Sequence, residues 1–383
     1  MSNKKKIAKR AAQAAAFTVG GGIALAFGMS GSAHADEIVV QSSEVTNAGV
    51  AAANSGGNVG VGNASTNVAA NGQAAAGGLA SNQASASNTS NGTANITTGQ
   101  ATATGSIADT DVDQAAATGD SGGLTVAVQD SDVVNAGAAA SNSGGNVGIG
   151  NASTNVAANG QLAAGLLASN QASASNTSNG TANIATGAAT ATGNLSSTDI
   201  DQSVDLGDSN GVLDLLVQDT DVLNLGVAAA NSGGNIGIGN ASTNIAATGQ
   251  GAFGLFAASN GSSTSNTSNG TANIATGAAT ATGNKSKTTV DQTIDGDPGN
   301  GGLGLVIQNA PVLNAGIGVA NSGLDIGVGN ASVNVDLLAQ ISFGLLSSNS
   351  ASSNSWSDGF TTILTGTATG VGNDSITAVT QES

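Results

Sequence analysis

The chain contains no cysteine and no tyrosine, only two prolines and one tryptophan, and aromatic residues at 2%. The absence of cysteine excludes a disulfide framework. The shortage of large side chains excludes a conventional core of Phe, Leu, Ile and Met, because much of the 39% apolar content is alanine, which buries little area. Charged residues reach 8%, far below the roughly 25% usual for soluble domains. Acidic residues outnumber basic ones by 24 to 7, so there is no basic stripe to neutralise nucleic-acid phosphates. A length of 383 residues alone suggests two or three domains, but the composition points elsewhere.

The basic residues are concentrated at the start. Lys4, Lys5, Lys6, Lys9 and Arg10 precede a small-residue apolar stretch from Ala11 to Phe27, and Ala33-His34-Ala35 forms a small-x-small site. Residues 1–35 are therefore expected to be a secretory signal peptide, cleaved after Ala35. A membrane anchor is the weaker reading, because Gly20, Gly21 and Gly22 interrupt a run already shorter than the ~20 residues a span needs. Cleavage leaves Lys285 and Lys287 as the only basic side chains and removes every His, Met and Arg. Ser–His–Asp, Cys–His and His-ligated zinc chemistry are then out of reach, and the chain reads as a non-enzyme that needs no cofactor.

Long internal repeats organise what remains. Asn54-Ser55-Gly56-Gly57 recurs at Asn142 and Asn231 and, degraded, as Asn321-Ser322-Gly323, in steps of 88, 89 and 90 residues. Each unit closes on an apolar-x-Gln signature: Val112-Asp113-Gln114, Ile200-Asp201-Gln202, Val290-Asp291-Gln292 and Val379-Thr380-Gln381. This divides the chain into repeat units at 36–114, 115–202, 203–292 and 293–383. Turn-rich joints beginning at Thr118, Gly207 and Asp295 separate them, supplying the bends of surface loops. The fourth unit diverges most, with Trp356 and Phe360 where the others are rich in Thr and Asn. It reads as a cap, with a docking surface for an identical molecule or for the cell wall as the alternative.

Period-two runs such as Thr181-Ala182-Asn183-Ile184-Ala185-Thr186, punctuated by Gly187 and Gly193, predict short strands. Low complexity is compatible with disorder, yet spaced Val, Ile and Leu return at fixed phases and proline is nearly absent. The expected fold is all-β, an elongated β-solenoid or β-helix built from four repeats of about 88 residues. Its narrow interior is filled by Ala, Val, Ile and Thr, and its Asn and Ser stack as ladders. A coil of roughly 20–25 residues would put about four rungs in each unit, and some sixteen rungs would make a rod on the order of 75 Å long.

Two patterns bear on binding. Asp109, Asp111 and Asp113 share one strand face, a spacing that Ca²⁺ would relieve of like-charge repulsion; edge-protecting, solvated charge is the plainer reading. Asp130/Asp132, Asp199/Asp201 and Asp219/Asp221 repeat the pattern. Thr102/Thr104, Thr190/Thr192, Thr280/Thr282 and Thr367/Thr369 suggest a hydroxyl and methyl array, though a sparse one at one pair per unit.

The run from Ala172-Ser173-Ala174-Ser175-Asn176 through Asn183-Ile184-Ala185-Thr186-Gly187 to Gly193-Asn194 resembles secreted, Ala/Asn/Gly/Ser/Thr-rich tandem-repeat proteins of the actinobacterial cell surface. The resemblance implies a β-solenoid at the surface and transfers no functional residue. A sortase-type LPxTG ending is missing, which leaves covalent wall attachment without support. The expected role is a secreted structural or adhesive protein that self-assembles into fibres or binds cell-envelope polymers. The alternative is a solenoid that binds ice or polysaccharide through its Thr and Asn faces.

Overall fold

The computed structural model describes residues 37–118, 124–206, 213–296 and 303–383; the expected signal peptide and most of each joint lie outside the described residues. The described residues form strands almost throughout, and no helix. The first layer comprises β1 (Glu37–Asn54), β2 (Val59–Thr97) and β3 (Ala101–Ala117), and the second β4 (Leu124–Asn142), β5 (Val147–Ala185) and β6 (Ala189–Asp205). The third comprises β7 (Leu213–Asn231), β8 (Ile236–Ala275) and β9 (Ala279–Asp295). The fourth is more broken, with β10 (Leu303–Asn309), β11 (Val312–Asn321), β12 (Ile326–Asn330), β13 (Val333–Phe343), β14 (Leu346–Leu364) and β15 (Ala368–Glu382).

All pairing is parallel and joins each residue to its equivalent one whole unit later. Val45 pairs with Val133, Val133 with Val222, and Val222 with Val312. One unit is therefore one layer, and the expected four rungs per unit do not form. The reason lies in the side chains. Buried Asn and Gln can bond along the stack only when identical residues lie in register, and only the full-unit offset aligns them. The stack is four layers deep, a rise of about 14 Å from first to fourth at the usual strand spacing, in place of a 75 Å rod. The elongation lies within the layer instead.

Each layer is one long fold-back. The chain runs out along β1 and the first half of β2, bends near Gly77–Leu79, and returns along the second half of β2 and β3. Facing pairs nest about that bend: Gln41 reaches Ala115, Asn47 reaches Thr110, Ser55 reaches Gly99, and Asn63 reaches Ser90. Each arm of about 40 residues would span on the order of 130 Å if straight. The kink at 55–58 is made by Gly57, Gly145 and Gly234, whose φ values of 78°, 75° and 77° suit glycine; the fourth layer places Leu324 there at 62°.

The two arms mesh through their inward side chains. Val112, Val133, Ile200, Val222 and Val290 form one buried cluster, and Ile96, Ile184 and Ile274 another. Val204, Leu206, Leu216 and Ile294 pack with Ala116 and Ala127 in a third, and the remaining apolar clusters are alanine, as at Ala103, Ala191, Ala228 and Ala281. At two places along the arms the backbones touch. A Cβ on Gly137 would stand 1.9 Å from the Gly193 carbonyl oxygen, and one on Gly180 would stand 1.9 Å from that of Gly239. These glycines sit inside strands and permit close approach of facing sheets, which is their role in place of turns.

Candidate functional site: amide columns, acidic columns and open edges

The inward polar residues form columns running up the stack. Asn63 Nδ2 donates to Asn151 Oδ1 at 2.8 Å, Asn151 to Asn240 at 2.9 Å, and Asn240 to Asn330 at 3.0 Å. Asn47, Asn135, Asn224 and Asn314 repeat this sense at 2.9, 2.9 and 2.7 Å. Other columns run the opposite way. Gln308 Nε2 donates to Gln218, Gln218 to Gln129, and Gln129 to Gln41, each at 2.9 Å. The closing signatures form a further such column, with Gln381 donating to Gln292, Gln292 to Gln202 and Gln202 to Gln114. Asn135, Gln129, Gln218 and Gln292 are fully buried, so each amide replaces its lost water with its own copies above and below. The recurrence of Gln41, Gln129, Gln218 and Gln308 at fixed phase was the available sequence signal for these columns.

The fourth layer ends some columns with a carboxylate. Asn58, Asn146 and Asn235 stack, and Asn235 donates both its backbone N–H and its Nδ2 to Asp325 Oδ1 at 2.8 Å. Asp325 Oδ2 is buried without a hydrogen-bond partner. Asp336 replaces the alanine column of Ala157 and Ala246, and accepts from Asn266, Ser353 and Ser355.

The predicted acidic face lies on the outward side of β3. Asp109, Asp111 and Asp113 are all exposed, and pair respectively with Ser197, Asp199 and Asp201. Among the described residues, no three His, Cys, Asp or Glu side chains are grouped so as to hold a metal ion. A second acidic patch is set by β4 and β7, where Asp130 stacks on Asp219 and Asp132 on Asp221. Partial burial, followed by the charges of Asp130, Asp221, Asp219 and Glu44, pushes Asp132 up to about 6. Burial and neighbouring carboxylates raise Asp130, Asp221 and Asp201 as well.

The outward face carries threonine columns in every layer that has the residue. Thr102, Thr190, Thr280 and Thr369 are in register, as are Thr66, Thr154 and Thr243 beside an open trough of about 520 Å³. One layer per unit thus removes the sparseness expected of this array. At the fold-back, Leu79, Leu167, Leu255, Phe256, Phe343 and Leu345 are exposed and form an apolar rim that grows towards the fourth layer.

Among the described residues both ends of the stack are open. β1, β2 and β3 pair on one side only, and so do the strands of the fourth layer. Pro311, the one proline among the described residues, presents its carbonyl to the Val222 N–H of the third layer at 3.0 Å. In a parallel ladder a residue's N–H and C=O face the same neighbour, so the donor that Pro311 lacks is an inward one. The outer row of the fourth layer is not interrupted by it.

Comparison of the chain with protein-family models, curated proteins and solved structures gave no match. No helix among the described residues is long and apolar enough to cross a membrane.

Proposed function

We propose that this chain is an exported structural and adhesive protein of the bacterial cell surface that self-assembles through its repeated layers. The observation that carries the reading is the interior built of self-stacking columns. An arrangement that satisfies each buried amide with its own copy can be extended from layer to layer, and it repeats outward columns such as Thr102, Thr190, Thr280 and Thr369. The signal sequence and the residue types left after its removal support the reading. The apolar rim at the fold-back is the part suited to adhesion, since a contiguous exposed apolar surface marks a contact site.

Fractionation of cells into wall, membrane and medium tests the location, and recovery only from the cytosol overturns it. Electron microscopy with fibre diffraction tests assembly: fibres with a meridional spacing near 4.8 Å are expected, and monomeric particles at high concentration count against it. The in-register threonine columns favour one second reading, a solenoid that binds ice or polysaccharide. Thermal hysteresis in the purified protein would support its ice-binding form, and absence of hysteresis removes that form.

A further inference from the structure

The reading of self-assembly leaves open which surface meets which. We propose that the partner is a second copy of this chain, stacked in the same direction, with the first layer of one molecule on the fourth layer of the next. The contact would continue the interface already present between layers, with parallel strands in register and each residue over its equivalent.

Four observations support this polarity. Among the described residues the outer layers each pair on one side only, and Pro311 does not block the outer row of the fourth. The close-approach glycines recur at both ends, as Gly49 and Gly62 in the first layer and Gly316 and Gly329 in the fourth, so the two arms have the same separation there. The amide columns are directional. Those of Asn47 and Asn63 donate towards the fourth layer and leave a free acceptor side at the first, whereas the column of Gln41 donates towards the first layer. First-on-fourth stacking therefore places donor on acceptor in columns of both senses. Finally, identical residues meet: Gln308 on Gln41, Asn314 on Asn47, and Asn330 on Asn63. A head-to-tail contact of this kind has no closure and yields filaments rather than dimers.

Some columns are mismatched. Asp325, a carboxylate, stands where the incoming Asn58 has its Nδ2 committed to Ser55 and Asn146 and offers only Oδ1, so acceptor meets acceptor. Asp336 would meet Ala69, and Leu338 would meet Asn71. These positions restrain the stacking that the other columns favour.

The lack of cysteine makes polarity directly testable. Thr46 and Leu313 occupy one outward column, in the first and fourth layers, and both are exposed. Within one molecule they are about 14 Å apart, too far for a disulfide, whereas head-to-tail neighbours would hold them about 4.8 Å apart. Thr46→Cys/Leu313→Cys in the full exported chain is expected to give a ladder of covalent multimers on oxidation. Each single variant should stay monomeric on non-reducing gels. Val50→Cys/Ile317→Cys, in a second outward column, repeats the test should the first pair fail to fold by circular dichroism. Covalent dimers from a single variant, or fibres without a ladder in the folded double variants, overturn the polarity and leave self-assembly standing. Monomers on gels together with no fibres under the microscope remove both.

Discussion

Adding a methyl group at Gly180 is expected to cost far more than adding one at Gly160, although both glycines lie in β5. A Cβ at Gly180 would lie 1.9 Å from the Gly239 carbonyl oxygen and 2.8 Å from the Asn151 nitrogen, both backbone atoms that cannot rotate away. Restoring an ordinary contact near 3.4 Å requires the arms to part locally by about 1.5 Å, and a gap of 0.5–1 Å already forfeits a quarter to a half of each dispersion contact. Overpacking typically costs ~1–3 kcal/mol. With rigid backbone on both sides and the Asn151–Asn240–Ser178 bonds beside it, Gly180→Ala belongs at about 3 kcal/mol or beyond. Gly160 has no atom within 4 Å of its would-be Cβ, so Gly160→Ala should be neutral or stabilise by up to ~1 kcal/mol through the unfolded chain. Guanidinium unfolding followed by far-ultraviolet circular dichroism measures both. Equal midpoints for the two variants would refute the claim that the facing backbones touch at this point.

Asn240→Leu keeps the branched shape, with bulkier methyl groups, but strands the amides and hydroxyls of Asn151, Asn330, Ser178 and Ser268, so a loss of ~2–4 kcal/mol is expected in the same assay. Gln83→Ala, which removes one exposed bond to Gln171, should change stability by less than ~0.5 kcal/mol, and parity between the two would undo the case for the columns. The raised Asp132 makes the folded chain hold more protons than the unfolded one between the ordinary aspartate value of 3.8 and about 6. Its contribution is therefore fully present below that window and is lost as pH rises through it. Unfolding midpoints should show this decline, and Asp132→Asn should reduce it; a variant with the same pH dependence as the parent would contradict the assignment. Asp325→Asn supplies a donor to Asn58 of an incoming copy, so the lag before light scattering rises should shorten at neutral pH, and an unchanged or longer lag would remove Asp325 as a restraint.

Much of the architecture could be read in the residues. Alternation in stretches such as Thr181–Thr186, together with the dearth of large side chains, points to an all-β stack rather than a helical or two-layer domain; β5 covers Thr181–Ala185, but as the end of a 39-residue strand where short strands were expected. The size of the rung could not be read in the same way. Gly193 looks like turn punctuation, which divides the unit into short pieces. In the structure it lies within β6, where a missing Cβ lets facing backbones meet. Only the fold-back partner, tens of residues away, distinguishes the two roles. The candidate calcium residues were placed correctly on one strand face, since alternation alone decides that. Their neighbours across layers, Ser197 beside Asp109 but Asp199 beside Asp111, depend on the full-unit register and could not be anticipated from a 20–25-residue rung.

The full-unit register also governs how the chain can reach its fold. Val45 has no backbone partner until Val133 has been made and delivered, and no shorter hairpin offers an interim one. Closing loops of this length before any ladder bond forms makes the first pairing slow, since chain entropy is lost ahead of any reward. Once two layers are joined, the second supplies a complete template for the third, and each later addition meets an edge already in place. Folding is thus a nucleation followed by growth, one layer after another.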